Sequence, residues 1–365
     1  MRVGVPKEIK TLEFRVGLVP GIVQRLVDKG HEVIVEAGAG LGAGIVDPDY
    51  VAAGAAIASS ADEVFERANL IVKVKEPQVE EIERLAPHHI LFTYLHLAAN
   101  RALTLGLMKS GCTAIAYETV TDQNGCLPLL APMSQVAGRM AVDVGAMCLL
   151  RPQGGRGILL GGVPGVPPAK IVILGGGVAG RHAAEIAVGH RADVTLFDIS
   201  LPILAELDTE FGGRVKTVFS TRPAIIHSLV DADLVIGTVL IPGGSAPKLV
   251  RREDLAQMKK GSVLVDVSID QGGCFETSRP TTHADPTFDV DGIVHYCVAN
   301  MPGAVPHTST FALSSATAPY IEALADKGVE RAIADDKGLF GGLNIRNAEL
   351  LHPAVVEAFG GGFDA

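Results

Sequence analysis

Short apolar runs alternate with amphipathic stretches from the first residues of the chain, and this alternation constrains the fold most. Runs with the length and composition of strands lie at 2–5, 32–36, 70–75, 90–95 and 113–117. Amphipathic stretches typical of helices lie between several of them, at 21–29, 78–85 and 100–110. Because strands alternate with helices, the first third of the chain predicts a parallel sheet with helices on both faces.

The pattern breaks near residue 130 and then starts again. Pro132 and Ser134 are typical of the start of a long helix, which we expect to run to about Leu150. After a Gly/Pro-rich loop, further strand-like runs follow at 170–174, 193–198, 216–219, 234–238, 262–268 and 293–298. Beyond Pro306 the chain is expected to be helical, at about 310–326 and 353–358.

We therefore predict an α/β protein with two doubly wound domains, which its 365 residues are long enough to form. Residues 131–304 would form a Rossmann domain. Residues 1–130 and 305–365 would form a second domain, discontinuous in sequence and flavodoxin-like or Rossmann-like. The C-terminal tail is too short to bury a core of its own, so we assign it to the N-terminal domain.

Composition limits the partners of the chain. Hydrophobic residues make up 48% of it and charged residues 20%, which allows a buried core and argues against disorder. The formal net charge of −10 disfavours binding to nucleic acid or to an anionic membrane. The five cysteines are scattered and odd in number, and no run approaches the ~20 apolar residues of a membrane span. We therefore expect a soluble, cytoplasmic protein whose partners are small molecules.

A glycine pattern, Gly175-x-Gly177-x-x-Gly180, directly follows the apolar run 170–174 and precedes a helical stretch. Gly175 would permit a tight turn, Gly177 the approach of a pyrophosphate, and Gly180 close packing of helix on strand. The amides and the positive dipole end of the helix would then bind the phosphates. The pattern predicts a dinucleotide site, although a glycine-rich packing turn without a ligand remains the alternative.

Asp198 ends the next apolar run, eighteen residues beyond Gly180. A carboxylate in this position accepts hydrogen bonds from the adenine ribose hydroxyls and repels a 2′-phosphate. Ile199 and Ser200 add no positive charge that would offset this repulsion. The cofactor is therefore expected to be NAD rather than NADP.

Four charged or titratable residues follow predicted strands: Arg15, Lys75, His96 and Asp270. Ligands of open parallel sheets bind outside the carboxyl ends of the strands, so these residues are candidate binding or catalytic groups. Each has another interpretation. Arg15 could be a solvated loop cation, His96 a hydrogen-bonded core histidine, and Asp270 a turn or capping acid. Lys75 shares one face of its strand with Lys73, and the two could discourage pairing at a sheet edge.

Other motifs carry less information. The acidic run 283–291 lacks the spacing of a calcium-binding loop, and we interpret it as a solvated connection. No GxSxG, HExxH or Walker A pattern occurs in the sequence, which disfavours a hydrolase or a phosphotransferase.

The N-terminal run MRVGVPKEIKTLEFRVGLVP resembles the signature shared by alanine dehydrogenase and the NAD-binding part of nicotinamide nucleotide transhydrogenase. Further runs resemble alanine dehydrogenase over nearly the whole chain: VKVKEP, FTYLHLA, LLAPMSQVAGRMA, GGVPGVPPAKIVILGGGVAG, VDVSIDQGGCFETSRPTTH and YCVANMPGAVPHTST. The resemblance implies a homohexamer that converts L-alanine reversibly to pyruvate and ammonium with NAD.

The resemblance also implies roles for individual residues. Arg15 and Lys75 would bind the carboxylate and carbonyl region of the substrate, and His96 and Asp270 would be the catalytic pair. A group that takes a proton from water and later gives one to ammonia should ionise near neutrality, as histidine does. Besides the three glycines, the residues expected to contact NAD are Ser134, Val178, Ala179, Asp198, Ser220, Val239, Leu240, Val267, Ser268, Ile269, Asp270, Arg279, Val298, Ala299, Asn300 and Met301.

The chain departs from the family pattern at a few positions. His307 replaces a usual arginine, and Ile203 stands where a basic residue often contacts the cofactor, so weaker NAD binding is expected. Ala323 and Lys327 stand where some relatives carry a metal-binding Glu and His, so no metal is expected. A transhydrogenase subunit, a saccharopine-type dehydrogenase and a non-catalytic NAD sensor remain as alternatives.

Overall fold

The computed structural model describes residues 1–239 and 246–360. The chain divides into two α/β units: Met1–Met133 together with the chain from Gly303 onward, and Ser134–Pro302. Each unit is built on one mainly parallel sheet, so the predicted fold class is confirmed, including the discontinuous domain. No helix within the described ranges is long and apolar enough to span a membrane.

The first unit begins with strands that alternate with helices. Its strands are β1 (Arg2–Val5), β2 (Glu32–Glu36), β3 (Ala56–Ala58), β4 (Leu70–Val72), β5 (Ile90–Thr93) and β6 (Thr113–Ala116). Its helices are α1 (Pro20–Asp28), α2 (Asp47–Ala52), α3 (Ala61–Arg67), α4 (Val79–Ile82) and α5 (Arg101–Ser110). The sequence pattern missed β3, α2 and α3, which are too short to establish a period of their own.

The second unit continues the alternation. Its helices are α6 (Ala131–Cys148), α7 (Val178–Gly189), α8 (Leu201–Phe211) and α9 (Arg222–Leu229). Its strands are β7 (Lys170–Leu174), β8 (Asp193–Asp198), β9 (Val215–Phe219), β10 (Leu234–Gly237), β11 (Val263–Asp266), β12 (Thr287–Val290) and β13 (Ile293–Tyr296). The strand order is β12-β13-β11-β10-β7-β8-β9, and β12 is antiparallel to β13.

Helices cover both faces of this second sheet. Ile171 and Ile173 of β7 pack in a core with α7 and α8, whereas Val172 and Leu174 pack in another core with α9. Successive side chains of a strand point to opposite faces, so a strand covered on both faces must be apolar at nearly every position. This requirement explains the continuous apolar run that made β7 easy to predict.

The acidic run 283–291 contains a strand, so its interpretation as a solvated connection is wrong. Residues Thr287–Val290 form β12, which pairs with β13 at the edge of the sheet. Asp291 and Gly292 connect the two strands with φ values of 53° and 79°. An Asp-Gly pair favours a two-residue hairpin turn because both positions need a positive φ. This signal is visible in the sequence.

The C-terminal tail returns to the first unit. Its elements are α10 (Pro306–Asp335), α11 (Lys337–Gly341), β14 (Leu343–Arg346), β15 (Glu349–Leu350) and α12 (Pro353–Ala358). The backbone of α10 is non-helical at Gly328, with φ 72° and ψ 167°. β14 adds to β6 in the antiparallel direction and β15 adds to β14, which gives the order β15-β14-β6-β5-β4-β1-β2-β3.

The parallel strands of both sheets follow the same order. The series β3-β2-β1-β4-β5-β6 and β9-β8-β7-β10-β11-β13 correspond to the Rossmann order, not the flavodoxin order. The order reverses between β1 and β4 in one sheet and between β7 and β10 in the other, and ligands bind at such reversals. We call the segments after β1, β4 and β5 the first switch point, and those after β7, β10 and β11 the second.

Candidate functional site

The glycine loop lies at the second switch point, between β7 and α7. Gly175 has a φ of 106°, a conformation that residues with side chains rarely adopt. A Cβ atom on Gly180 would lie 1.8 Å from the Gly175 carbonyl oxygen, so the close contact requires glycine. A Cβ atom on Gly177 would have no neighbour within 4 Å, so the backbone there is accessible. The loop thus has the tight packing and the open backbone that a phosphate-binding turn needs.

Asp198, the predicted ribose ligand, ends β8 beside this loop. Its Oδ2 accepts the backbone N–H of Gly176 at 2.7 Å, and its Oδ1 accepts that of Ser200 at 2.7 Å. The carboxylate therefore fixes the glycine loop to the end of β8. Each carboxylate oxygen has a further lone pair, so the same side chain can also accept a ribose hydroxyl.

Asp270 is exposed in a 3₁₀ turn, Val267–Gln271, that directly follows β11. The turn is held by Asp266, a fully buried carboxylate that the sequence analysis missed. Asp266 accepts the N–H of Ser268 at 3.1 Å, the N–H of Cys274 at 2.9 Å and the hydroxyl of Ser278. Burial raises the pKa of the Asp266 carboxyl, although these hydrogen bonds oppose the shift. The available signal was an acid inside the apolar run VLVDV.

The other residues that the resemblance assigns to the cofactor lie mostly at strand ends of this sheet. Ser134 lies on α6, Val178 and Ala179 begin α7, Ser220 follows β9, Val239 follows β10, and 298–301 follow β13. Ser268 donates its hydroxyl to the Val239 carbonyl at 2.7 Å. The Arg279 guanidinium lies 4.1 Å from the centre of the Phe288 ring. Leu240 lies outside the described residues.

Arg15 lies at the first switch point, between β1 and α1, and is 2% exposed. Its Nε and Nη2 each donate to one carboxylate oxygen of Glu13 at 2.6 Å, and Nη1 contacts Met133 Sδ at 3.0 Å. Burial alone would lower the pKa of Arg15, but the hydrogen bonds and charge of Glu13 raise it overall. The alternative interpretation of Arg15 as a solvated loop cation is therefore wrong.

Lys73 and Lys75 follow β4, which lies inside the sheet between β1 and β5. Lys73 is fully buried, and its Nζ donates to Glu8 at 3.1 Å and to Glu81 at 2.6 Å. Lys75 is 9% exposed; its N–H donates to Glu8 at 3.4 Å and its carbonyl accepts the Thr93 hydroxyl at 2.9 Å. Protection of a sheet edge is thus the wrong interpretation of these lysines.

His96 follows β5 in the left-handed conformation, with φ 50° and ψ 40°. Its side chain is 46% exposed, so it is not a core histidine. The ring stacks on that of Tyr94, with the centroids 5.9 Å apart and the planes within 5° of parallel. Its backbone N–H donates to a carboxylate oxygen of Glu118 at 2.5 Å. No motif in the sequence identifies Glu118 as this partner.

Three adjacent strands of the first sheet are followed by side chains that can bind or exchange a proton with a small carboxylic acid. Arg15 follows β1, Lys75 follows β4 and His96 follows β5. Guanidinium and ammonium groups bind carboxylate and carbonyl oxygens, and an imidazole transfers protons near neutral pH. The first switch point can therefore bind a small anion and exchange a proton with it.

The four residues that depart from the family pattern all lie on helices. His307 donates from Nδ1 to the Ala43 carbonyl at 2.9 Å, and Ile203 lies on α8 beside the glycine loop. Ala323 and Lys327 lie on α10. Across residues 1–239 and 246–360, no group of three His, Cys, Asp or Glu side chains could hold a metal. The absence of a metal stays a prediction.

The chain has one Rossmann-ordered domain with a glycine loop and a second domain of the same strand order with cationic groups after its strands. These features define a two-domain dinucleotide-binding protein. The family "Alanine dehydrogenase/PNT, N-terminal domain" matches residues 4–137. "Alanine dehydrogenase/PNT, C-terminal domain" matches residues 141–353. The chain therefore belongs to the alanine dehydrogenase/PNT family, as its motifs predicted.

Individual relatives cover almost the whole chain. An alanine dehydrogenase of Halomonas elongata is 58% identical over 360 residues, which are 99% of this chain and 97% of that protein. One of Bacillus subtilis is 51% identical over 361 residues, or 99% and 95%. A solved L-alanine dehydrogenase has a TM-score of 0.95 at 54% identity and covers 98% of this chain and 99% of its own. A transhydrogenase from Sinorhizobium meliloti has a TM-score of 0.85 at 26% identity, covering 96% and 100%.

Proposed function

We propose that this protein catalyses the reversible, NAD-dependent oxidative deamination of L-alanine to pyruvate and ammonium. The observation that carries this proposal is the similarity to alanine dehydrogenases, such as that of Halomonas elongata, which is 58% identical over 99% of the chain. The geometry supports it because each switch point provides what the reaction needs. One has a dinucleotide loop, and the other has cations and an imidazole at adjacent strand ends.

The second unit is the proposed NAD-binding domain, and the residues present fit this cofactor. The accessible backbone at Gly177 and the amides of α7 would hold the pyrophosphate. Asp198 would accept hydrogen bonds from the adenine ribose and favour NAD over NADP. When bound, NAD supplies the acceptor for the hydride that leaves the alanine Cα.

The first unit, with its C-terminal tail, is the proposed substrate domain. Arg15 binds the substrate carboxylate, and its bidentate pair with Glu13 fixes the plane of the guanidinium. Lys75 interacts with the carbonyl oxygen that develops as the amine leaves, because a compact ammonium ion stabilises that negative charge.

His96 is the proposed acid–base group. During oxidation the imidazole takes the proton of the water that attacks the substrate carbon, and it later returns a proton to the departing ammonia. Pyruvate amination uses the same steps in reverse: the imidazole takes a proton from the nitrogen that attacks pyruvate, and it must be protonated when it then donates that proton to the departing hydroxyl group, which leaves as water. Asp270 would orient the amine or the water and balance the positive charge of the nicotinamide.

The proposed assembly is a homohexamer and the proposed location is the cytoplasm. Similarity to alanine dehydrogenases supports the hexamer, and light scattering after size-exclusion chromatography measures it. The cysteines support a reducing compartment, since all five are free and four are buried: Cys112, Cys148, Cys274 and Cys297.

One assay tests the proposed function. The purified protein is mixed with NAD and a panel of amino acids, and NADH formation is followed by absorbance. A strong preference for L-alanine is expected. A preference for a larger amino acid would favour a saccharopine-type dehydrogenase, and NADH from no amino acid would favour a transhydrogenase module or a sensor.

A further inference from the structure

Glu118 has no role in the sequence motifs or in the proposed mechanism, but its carboxylate accepts a hydrogen bond from the backbone of His96. It lies in a 3₁₀ turn, Tyr117–Thr119, directly after β6. β5 and β6 are adjacent and parallel, with Thr93 opposite Ala116, so the segments that follow them lie side by side. We infer that Glu118 is a positioning residue for His96, holding its backbone and placing a carboxylate beside its ring; this role rests on the proposed acid–base function of His96.

The backbone contacts show how Glu118 holds the end of β5. Its Oε1 accepts the N–H of Leu95 at 3.1 Å and the N–H of His96 at 2.5 Å, and Oε2 also lies 3.2 Å from the Leu95 nitrogen. His96 is one of the few residues other than glycine with a positive φ, which is an uncommon conformation. Hydrogen bonds to an ionised carboxylate are stronger than neutral ones. They stabilise the backbone conformation of His96 at the start of the turn that follows it.

The ring contact adds a charge effect to this backbone effect. Nδ1 of His96 lies 3.9 Å from Oε1 of Glu118, whose side chain is 16% exposed. The carboxylate therefore lies beside the ring as well as the backbone of His96. The stacked Tyr94 ring restricts the plane of the imidazole.

Two other titratable groups face Glu118. His352, immediately before α12, is half-buried; burial lowers the pKa of His352, and the charge of Glu118 opposes that shift. The Tyr94 phenol is buried and donates to the Leu129 carbonyl, and burial raises its pKa, so it stays neutral in the working range. Loss of the Glu118 charge could therefore act through His96 or through His352, and the test must separate them.

The central variant is Glu118→Gln, which retains an oxygen acceptor for the two N–H groups and removes the charge. The limb of the pH–rate profile that His96 contributes should move to lower pH in both reaction directions, because the variant removes the negative charge beside the ring. NADH binding should not change. Glu118→Ala removes the acceptor as well, so kcat/KM for pyruvate should fall by a further ~10- to 100-fold through misplacement of the imidazole. Glu118→Asp keeps the charge, so its limb should stay closer to that of the unmodified protein.

Glu83→Gln is the matched control, because it makes the same chemical change at an exposed position next to α4. It should leave the profile unchanged. A second comparison places Glu118→Gln in a His352→Gln background. The same shift in that background supports the inference, whereas its disappearance would show that the charge acts on His352 and would overturn it.

A direct titration distinguishes failure of this inference from failure of the proposed function. The imidazole carbon resonances of labelled histidines are followed by NMR against pH, with His96→Gln used to assign the His96 signal. The midpoint of the titration of the His96 signal should move to lower pH in Glu118→Gln whether or not alanine is the substrate. An unchanged midpoint would overturn the role of Glu118 even in a protein that oxidises alanine.

Discussion

The two switch points occupy the same place in two sheets of the same strand order, but they are built from different groups. The first consists of buried, paired charges: the Glu13–Arg15 pair and Lys73 between Glu8 and Glu81. The second consists of a glycine loop and of carboxylates that accept backbone N–H groups.

The difference follows from the ligands proposed for the two regions. A single small carboxylate presents one charge and few contacts, so full positive charges must be held in fixed positions for it. A dinucleotide extends over many atoms, and its pyrophosphate can be bound by backbone amides and a helix terminus. The first switch point should therefore be sensitive to the removal of charge, and the second to added volume.

The largest effect is expected where added volume meets backbone. In Gly180→Ala the new Cβ would lie 1.8 Å from the Gly175 carbonyl oxygen, so the loop must move. Overpacking that costs about 3 kcal/mol would weaken NADH binding by roughly 100-fold, measured by fluorescence titration. The control is Gly189→Ala at the end of α7, where a Cβ has no neighbour within 4 Å. Equal NADH affinity of the two variants would contradict the account of the loop.

The next effect concerns a buried charge at the first switch point. Glu13→Gln leaves the Arg15 guanidinium without its carboxylate, and unpairing a buried charge should cost ~3 kcal/mol of unfolding free energy. The KM for pyruvate should rise because the guanidinium plane is no longer fixed. Glu330→Gln removes an exposed partner of Arg346, at 74% exposure, and should cost less than ~1 kcal/mol. Urea unfolding compares the two, and similar losses would show that the buried pair has no special role.

The preference for NAD over NADP should weaken when Asp198 is replaced. The unmodified protein should strongly prefer NAD over NADP, and Asp198→Ala combined with Ile199→Arg should narrow that preference by about tenfold or more. The ratio of kcat/KM for the two cofactors measures it. NAD affinity should fall as well, since Asp198 also accepts the Gly176 and Ser200 N–H groups. Equal use of both cofactors by the unmodified protein would rule out the ribose assignment.

The smallest effect is on stability in acid. Burial lowers the pKa of His295, whose Nε2 bonds to the Thr277 hydroxyl at 2.7 Å. The stability from this neutral histidine is complete above the unfolded pKa of about 6.5 and is lost as pH falls from there towards the folded value. His295→Gln should therefore weaken the decline of the urea midpoint between pH 7.5 and 5.5. A decline as steep as in the unmodified protein would place the proton uptake elsewhere.

The elements that could be predicted are those with a clear pattern in their own segment of the sequence. β7 and β8 have the bounds that their apolar runs predicted, and the loop between β7 and α7 follows from its glycines. β14 and β15 escaped prediction because they are short strands that add to the edge of a sheet formed far earlier in the chain. The position of β4 inside its sheet depends on strand order, which no local pattern contains.

The candidate site was predictable only for groups that a motif or a strand end identifies. The sequence does not identify three carboxylates that hold site residues or the turns near them: Glu13, Glu118 and Asp266. Their roles depend on which groups lie near them in the folded protein, and a single acidic residue in a sequence does not reveal those neighbours. The buried state of Arg15 could not be predicted for the same reason, since it depends on the pairing with Glu13.

The most direct test of the division between the two switch points uses Lys75→Ala. NADH binding is measured by calorimetry and pyruvate amination by steady-state kinetics on the same preparation. The account predicts NADH affinity close to that of the unmodified protein and amination reduced by about 1,000-fold, because one stabilising cation is lost from the developing charge. Turnover within tenfold of the unmodified protein, or loss of NADH binding together with turnover, would contradict it.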